Sequence, residues 1–351
     1  MGLKILHSAD WHLDSAFQGF SDARRDYLKR ELLQVPEKIA DLCRKENCDL
    51  VLLAGDLFDG PCTRESVDVL YRALERCGVP VVIAPGNHDY LSPSSPWLAE
   101  RWPPNVHIFL GELGSITLPE LGCRIYGAGY RSMDCPGLLE GFCAMGEEKY
   151  QIGLLHADPM QIHSSYCPVT SAQVRDSGLD YLALGHIHKA GAFRAGKTLC
   201  AWPGSPMGRG YDETREKGVY IVTLDEEVTC RFAELDTPRF YCLEAEENQL
   251  EELLPPVGNE AFYRVTLTGF GGESLQAIRE RYGRFANLEL IDHREKAKDV
   301  WESAGEDTLE GMYFQLLKEK AESAGPEFAE QIRLAAEISR KLLEGKAVNL
   351  P

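Results

Sequence analysis

Five hydrophobic runs of the sequence each end at side chains that can bind a metal ion. These segments are Asp10 to His12, Gly55 to Asp59, Gly86 to Asp89, His156 to Asp158, and Gly185 to His188. In an open α/β sheet, ligands bind beyond the carboxyl ends of the strands, so we expect these distant segments to converge in space. Seven of their side chains are candidate metal ligands: Asp10, His12, Asp56, Asn87, His156, His186 and His188.

The candidate ligands are carboxylate, imidazole and amide groups, a mixture that suits Mn²⁺, Fe²⁺ or Zn²⁺ better than a thiolate site would. Seven ligands are too many for one ion, so we expect two ions. One ion would have Asp10, His12 and His188, and the other would have Asn87, His156 and His186. Asp56 would bind both ions. Two ions about 3.5–4 Å apart would lower the pKa of a shared water and stabilise both oxygens of an in-line phosphoryl displacement. The pattern therefore predicts hydrolysis of a phosphate ester.

Two further residues of the third segment are candidates for catalysis. His88 follows Asn87 and is not needed as a ligand, so it is available to stabilise the pentavalent phosphorus or to protonate the leaving oxygen. Asp89 would orient His88, as carboxylates commonly do beside histidines. The alternative for His88 is a supporting hydrogen bond. For Asp59 two roles stay open: orienting a side chain of the metal site, or capping the helix that begins near Thr63.

Each of these short patterns has an ordinary explanation when it stands alone. A single DxH, GNH or HxH pattern arises by chance, and a lone histidine is more often a core or surface residue than a ligand. Five such segments at predicted strand ends have little structural reason to coexist, which favours a metal centre. Four other histidines fit no position in this scheme and are expected to be ordinary: His7, His107, His163 and His293.

The elements that must position these residues alternate between strands and helices, as in an α/β domain. The predicted strands are Leu3–His7, Leu50–Ala54, Val81–Ala84, Val106–Phe109, Arg124–Tyr126, Gln151–Leu155, Tyr181–Leu184 and Gly218–Leu224. Apolar spacing predicts a helix over Arg24–Glu46 that breaks or kinks at Pro36, and a second helix over Ser66–Cys77 that Gly78 ends. Gly204 to Pro206 is interpreted as a plain turn.

The character of the sequence changes near residues 236–239. Strands and helices then alternate in a smaller α/β unit, and two predicted helices follow it, Thr308–Ala324 and Pro326–Gly345. We therefore predict a phosphoesterase domain at residues 1–236, a small domain at 237–296 and a helical segment at 297–351. The helical segment would pack on its own chain or dock a partner.

Composition excludes several classes of protein. The 351 residues are 44% hydrophobic and 26% charged, as in a folded globular protein. The sequence contains no apolar run of about 18 residues, and its N-terminus leads directly into a predicted strand, so neither a spanning helix nor a signal peptide is expected. The eleven cysteines include no CxxC pair, which favours reduced thiols in the cytoplasm over disulfides or a cysteine-bound metal.

The net charge of −18 argues against a protein that binds nucleic acid by overall positive charge. DNA binding would need a local basic patch, the metal ions or a partner protein. Six basic residues follow predicted strand ends or lie in nearby loops and are candidates for such a patch: Arg131, Lys189, Arg194, Lys197, Arg209 and Arg215.

The order of the five metal-compatible segments resembles that of the calcineurin-like metallophosphoesterase superfamily, over Lys4 to Leu235. Within it, the segments His7 to Phe17 and Leu53 to Asp59 are similar to those of SbcD-type DNA repair exonucleases, particularly the YhaO-like bacterial branch. The resemblance implies an α/β fold, a four-layer αββα sandwich with a small α/β capping domain and C-terminal helices. It also implies Mn²⁺-dependent nuclease activity, a homodimer and an ATPase partner of the SbcC/Rad50-like type. Relatives often have a histidine where this chain has Asp59, so His88 is the main catalytic candidate.

Three functions are compatible with these features. The first is a two-metal DNA exonuclease or endonuclease in DNA repair. The second is a phosphodiesterase for a small substrate such as a cyclic nucleotide, which would need neither a capping domain nor docking helices. The third is a metal-binding scaffold protein that positions an ATPase. The complete set of candidate ligands favours a catalytic site over the third function.

Overall fold

The computed structural model describes residues 2–256, 260–295 and 300–345. Its elements follow one another along the chain as β1 Leu3–Ser8, α1 Asp22–Glu46, β2 Leu50–Leu53, α2 Arg64–Cys77, β3 Val81–Ile83, α3 Pro96–Ala99, β4 Val106–Ile108, β5 Gly114–Leu118, β6 Cys123–Gly127, β7 Tyr150–His156, α4 Ser171–Asp176, β8 Tyr181–Gly185, β9 Lys189–Ala195, β10 Thr198–Gly204, β11 Gly218–Leu224, β12 Val228–Glu234, β13 Phe240–Glu246, α5 Leu250–Leu253, β14 Phe262–Thr268, α6 Leu275–Arg281, β15 Leu288–Asp292, α7 Leu309–Ser323 and α8 Pro326–Leu343.

The first twelve strands form two six-stranded sheets. Sheet I has the order β12-β11-β1-β2-β3-β4, in which β1 to β4 are parallel and β11 and β12 are antiparallel to their neighbours. Sheet II has the order β5-β6-β7-β8-β10-β9, in which β6, β7, β8 and β10 are parallel. The central strands are apolar along both faces, as expected for parallel strands that are covered on both sides.

Alternating side chains on β1 and β2 separate the core into layers. Ile5 and Leu52 belong to the core between the two sheets, whereas Leu6 and Leu53 belong to the core under α1 and α2. A third core, which includes Val174 of α4, covers the other face of sheet II. This succession of helices, sheet, sheet and helix confirms the predicted four-layer αββα sandwich.

Helix α1 continues through Pro36, so of the predicted break or kink the break is wrong and the kink stays a prediction. Proline removes one backbone N–H from the helical ladder, a loss that costs about 3 kcal/mol in an isolated helix. Leu32, Val35 and Ile39, on both sides of the proline, are buried against sheet I and offset that loss. Helix α2 follows the prediction closely, and Gly78 ends it with a φ of 69°.

The chain forms two compact units. The first comprises residues up to Cys242 together with the segment that ends at Arg264, and the second comprises the remainder from Leu243 onward. Strands β13, β14 and β15 form a three-stranded sheet in that order, and α7 and α8 belong to the second unit. The three-domain division stays a prediction, and its boundary at 296/297 lies outside the described residues.

No helix within the described residues is long and apolar enough to cross a membrane.

Replacing Leu52 with alanine tests the core between the sheets. Leu52 is fully buried there, so we expect Leu52→Ala to lower the free energy of unfolding by about 2–5 kcal/mol in urea titrations. Leu110→Ala is the control, because Leu110 is 56% exposed and its loss should change stability by less than about 0.5 kcal/mol. Equal effects of the two substitutions would contradict the layered core.

Candidate metal centre

The five predicted segments follow the carboxyl ends of β1, β2 and β3 in sheet I and of β7 and β8 in sheet II. At this edge the two sheets approach closely. A Cβ atom added to Gly185 would lie 2.0 Å from the carbonyl oxygen of Ala54, so only glycine fits between β8 and β2. The sheets therefore bring the ends of their strands within side-chain reach of one another.

Four site residues have left-handed backbone conformations, which residues other than glycine rarely adopt. Their φ angles are 55° at Asp10, 50° at His12, 53° at Asp56 and 91° at His186. Hydrogen bonds between the first two loops hold this geometry, since Asp10 N–H donates to Gly55 O and His12 N–H donates to Asp56 O, both at 3.0 Å. Such strain costs about 1–3 kcal/mol per residue and is concentrated at functional sites.

Asp10, His12 and His188 form one group of potential metal ligands, whose ligand atoms all lie within 4.8 Å of one another. The Nε2 atoms of His12 and His188 are 3.1 Å apart and face each other. The Nδ1 atom of buried His12 has no hydrogen-bond partner within the described residues, and Asp59 Oδ1 is 3.5 Å away. Imidazole nitrogens that converge in this way fit a shared cation better than they fit each other.

A second group contains Asp10, Asp56 and His156, and Asn87 adjoins it. His156 Nδ1 donates to Ala54 O at 2.8 Å, so Nε2 faces two oxygens, Asn87 Oδ1 at 2.9 Å and Asp56 Oδ2 at 3.3 Å. Burial alone would lower the pKa of His156, but the carboxylate of Asp56 raises it to about 9. Two acceptor oxygens at one imidazole nitrogen need a positive charge between them, which the protonated ring supplies here and which a divalent cation would supply to a neutral ring.

His186 lies beside the second group rather than within it. Its backbone N–H donates to both carboxylate oxygens of Asp10, at 2.9 and 3.1 Å. Its ring centroid is 4.7 Å from that of Tyr166 and 5.3 Å from that of His156. Its role as a ligand stays a prediction, as do the roles of the other six candidates.

His88 is held by Asp59, not by Asp89, so the predicted orienting role of Asp89 is wrong. His88 Nδ1 lies 2.9 Å from Asp59 Oδ1, the distance of an ion pair. The His12 and His88 imidazoles hold the pKa of the Asp59 carboxyl well below its usual range, and Asp59 in turn raises the pKa of His88. Thr63 caps α2, so of the two open roles for Asp59 the structure favours the orienting one.

Asp89 instead fixes the backbone of the loops. Its carboxylate accepts hydrogen bonds from Gly86 N–H at 2.7 Å, Leu57 N–H at 2.8 Å and Asp56 N–H at 3.2 Å. Burial and the neighbouring Asp56 raise the pKa of Asp89 to about 7, although these backbone donors favour its ionised form. Asp89 therefore ties the loop after β3 to the loop after β2, and so acts on Asp56 through the backbone.

Glu213, a residue that no sequence pattern singled out, is the centre of a polar cluster in the connection from β10 to β11. Glu213 Oε1 accepts from His188 Nδ1 at 2.9 Å and from Arg209 Nε at 3.1 Å. Ser205 donates to Glu213 Oε2, so the segment interpreted as a plain turn contributes a side chain to the site. These residues carry no spacing signal in the sequence, because they come from an irregular loop.

Comparison with known proteins supports the same conclusion as the geometry. A family model described as calcineurin-like phosphoesterase matches residues 3–190, which contain all seven candidate ligands. The chain belongs to this family. The predicted resemblance and the predicted metal-dependent phosphoester hydrolase are confirmed, and the Asp and His clusters of this phosphoesterase are able to bind divalent metals.

Several relatives of this phosphoesterase are named as nucleases or repair proteins. It is 34% identical over 242 residues to the uncharacterized metallophosphoesterase YhaO of Bacillus subtilis, covering 63% of this chain and 57% of that protein. It is 24% identical over 265 residues to the SbcD component of the SbcCD nuclease from the same organism, covering 63% of this chain and 66% of that protein. The solved structure of a dimetal phosphatase from Danio rerio is 14% identical, with a TM-score of 0.45, and the match covers 66% of this chain and 96% of that one. The chain thus matches less than two thirds of either Bacillus subtilis protein.

The structural role of Asp89 is testable with Asp89→Asn. An amide nitrogen in place of a carboxylate oxygen would face backbone N–H groups, so we expect the free energy of unfolding to fall by about 1–3 kcal/mol. Asp134→Asn is the control, because Asp134 is exposed and should tolerate the change. If Asp89→Asn keeps the wild-type free energy of unfolding but loses turnover, Asp89 has a catalytic role instead.

Proposed function

We propose that this phosphoesterase hydrolyses phosphodiester bonds of DNA, as the nuclease component of a repair complex with an SbcC/Rad50-like ATPase. The observation that carries the hydrolytic part is the convergence of buried carboxylates and imidazoles at the carboxyl ends of β1, β2, β3, β7 and β8. The names of its relatives, the SbcD component of the SbcCD nuclease and the DNA double-strand break repair protein Mre11 of Aeropyrum pernix, support DNA as the substrate.

The proposed cofactors are two divalent ions, with Mn²⁺ favoured and Fe²⁺ or Zn²⁺ as alternatives. The side chains proposed to bind them are those predicted from the sequence: Asp10, His12, Asp56, Asn87, His156, His186 and His188. Bound ions of this kind lower the pKa of water and neutralise charge on the phosphoryl oxygens.

His88 is proposed as the general acid. Its side chain is 40% exposed, whereas those of His12 and His156 are buried, so a polymeric substrate reaches it more readily than those two imidazoles. Asp59 pairs with Nδ1 of the ring, so Nε2 lies on the side of the ring away from Asp59. The raised pKa of His88 favours the protonated ring, which can donate its Nε2 proton to the leaving oxygen.

Four of the six residues in the predicted basic patch have an acidic partner within 4 Å. Arg131 pairs with Glu112, Lys197 with Asp180, and Arg209 with Glu213 and Asp59. DNA would therefore be held mainly through the metal ions or through a partner. Affinity of the chain alone should be weak and should fall with increasing salt.

The second unit supports a macromolecular partner rather than a small substrate. Helices α7 and α8 expose large apolar side chains: Leu309, Met312, Leu316, Phe328, Leu334, Leu342 and Leu343. Exposed apolar surface of this kind is common where proteins associate. We propose that these helices dock the ATPase and that the first unit forms the homodimer contact. We also propose that the complex is cytoplasmic. The eleven free cysteines support that location.

The first test is hydrolysis of end-labelled linear duplex DNA in Mn²⁺ at low salt. Wild-type chain should release nucleotides, and His88→Ala should lose about 10²- to 10⁴-fold in turnover because the proton donor is absent. His163→Ala is the matched control, since His163 is also exposed and has no proposed role. Unchanged turnover of His88→Ala would exclude His88 as the acid. Cleavage of a small phosphodiester but not DNA would favour the small-substrate enzyme or a nuclease that requires its partner.

Asp56→Asn tests the metal centre separately from the substrate. We expect this variant to bind Mn²⁺ more than about 100-fold more weakly in calorimetric titration, since even residues behind the ligands commonly contribute 10- to 100-fold. His88→Ala should keep the wild-type metal stoichiometry. Wild-type affinity of Asp56→Asn would contradict the proposed bridging role, and loss of an ion from His88→Ala would make His88 a ligand.

A further inference from the structure

A buried carboxylate lies behind His188. Glu213 is 9% exposed, and both of its oxygens accept hydrogen bonds. Oε1 contacts His188 Nδ1 at 2.9 Å and Arg209 Nε at 3.1 Å, and Oε2 accepts from Ser205 Oγ at 2.9 Å. The Nζ atom of Lys217 is 3.5 Å from Oε2. Glu213 thus contacts His188 and three residues of the connection between β10 and β11, namely Ser205, Arg209 and Lys217.

The short contact to a carboxylate determines which nitrogen of His188 carries the proton. An ionised carboxylate has no proton to donate, so Nδ1 must be the donor in the 2.9 Å contact. Arg209 Nη2 also lies within hydrogen-bond distance of Nδ1, at 3.2 Å, and this contact would need a lone pair on Nδ1. The shorter contact to the carboxylate needs the proton on Nδ1, and Arg209 has that carboxylate as an acceptor for its Nε. With the proton on Nδ1, the lone pair of a neutral His188 ring is on Nε2. That atom faces the Nε2 atom of His12 at 3.1 Å.

The same cluster also holds the backbone of His188. Lys217 is 4% exposed, and its ammonium donates to the carbonyl oxygen of His188 at 3.2 Å and to Ser205 Oγ at 2.9 Å. Ser205 N–H donates to that same carbonyl oxygen at 3.3 Å. His188 is therefore fixed at its ring by Glu213 and at its main chain by Lys217 and Ser205.

We propose that Glu213 is the positioning residue of His188, holding the Nδ1–H tautomer so that Nε2 can bind a metal ion. This inference rests on the proposed metal centre but not on the identity of the substrate. A hydrogen-bonded carboxylate behind a histidine fixes ring orientation and makes the ligand more basic, and its loss commonly weakens metal binding by 10- to 100-fold. Arg209 extends the network, because its Nη1 atom lies 3.8 Å from Asp59 Oδ2, beside the His88 pair.

The test begins with the metal-free full chain, whose histidine rings are labelled with ¹⁵N, at a pH where His188 is neutral. The His188 signals, assigned by comparison with His188→Gln, should show Nδ1 protonated and Nε2 unprotonated in the wild type. Glu213→Ala should shift the proton toward Nε2, whereas Glu213→Gln keeps an acceptor and should keep the wild-type tautomer. An Nδ1–H tautomer that persists in Glu213→Ala would overturn the proposal.

The second measurement is calorimetric titration with Mn²⁺ alone. Glu213→Ala should weaken one binding step by about 10- to 100-fold, and Glu213→Gln should weaken it less. Glu148→Ala is the matched control, since Glu148 accepts two hydrogen bonds from Arg124 in sheet II without contact to the candidate ligands. Equal loss in Glu148→Ala would assign the effect to general destabilisation and overturn the proposal.

A double variant separates hydrogen bonding from charge. Glu213→Ala leaves the buried ammonium of Lys217 without its carboxylate, and that positive charge alone would repel a metal ion. Glu213→Ala combined with Lys217→Met removes the charge as well. Lys217→Met alone is the reference, because Lys217 also donates to the carbonyl oxygen of His188. Affinity of the double variant that is lower than that of Lys217→Met supports positioning of His188 by Glu213, and equal affinity of these two variants overturns it. Neither the tautomer measurement nor the Mn²⁺ titration depends on DNA hydrolysis. A wild-type chain that does not cut DNA but shows the Nδ1–H tautomer and binds Mn²⁺ would contradict the proposed function and leave the role of Glu213 intact.

Discussion

The contact between the carboxyl ends of sheets I and II is the constraint on which the site depends. Gly185 at the end of β8 leaves no room for a side chain beside the carbonyl oxygen of Ala54 after β2. Because of this approach, His156 from sheet II can donate to Ala54 O and direct its other nitrogen at Asp56 from sheet I. A wider separation of the sheets would divide both predicted ligand sets, since each draws side chains from both sheets.

The strained loops are a consequence of that contact. After a strand ends, the chain must turn sharply for its next side chain to point across the edge, and left-handed φ angles at Asp10, His12 and Asp56 provide the turn. Three loop-to-loop interactions stabilise it: Asp10 N–H to Gly55 O, His12 N–H to Asp56 O, and the carboxylate of Asp89 on the loop after β2. Asp89 thus fixes the loop that carries Asp56 through backbone hydrogen bonds.

The predictable part of this molecule is the part encoded locally. Each candidate ligand directly follows a hydrophobic strand, so residue type and position were sufficient to select it, and the four-layer arrangement followed from resemblance. The sequence left Asp59 with two open roles and did not indicate that it, rather than the adjacent Asp89, pairs with His88. Glu213 reaches His188 from 25 residues away through an irregular loop. Pro36 misled the helix prediction because tertiary burial outweighed its intrinsic cost.

Charge connects metal binding to substrate binding in this site. The carboxylates of Asp10, Asp56, Asp59 and Glu213 lie near one another, with Arg209 and Lys217 as the neighbouring cations. A phosphodiester brought to such a surface would meet net negative charge, on a chain whose overall charge is −18. Bound divalent ions are the largest local charges in a site of this kind and reverse its sign. Metal binding should therefore precede substrate binding, and residues that hold a ligand in place, such as Glu213, would affect both.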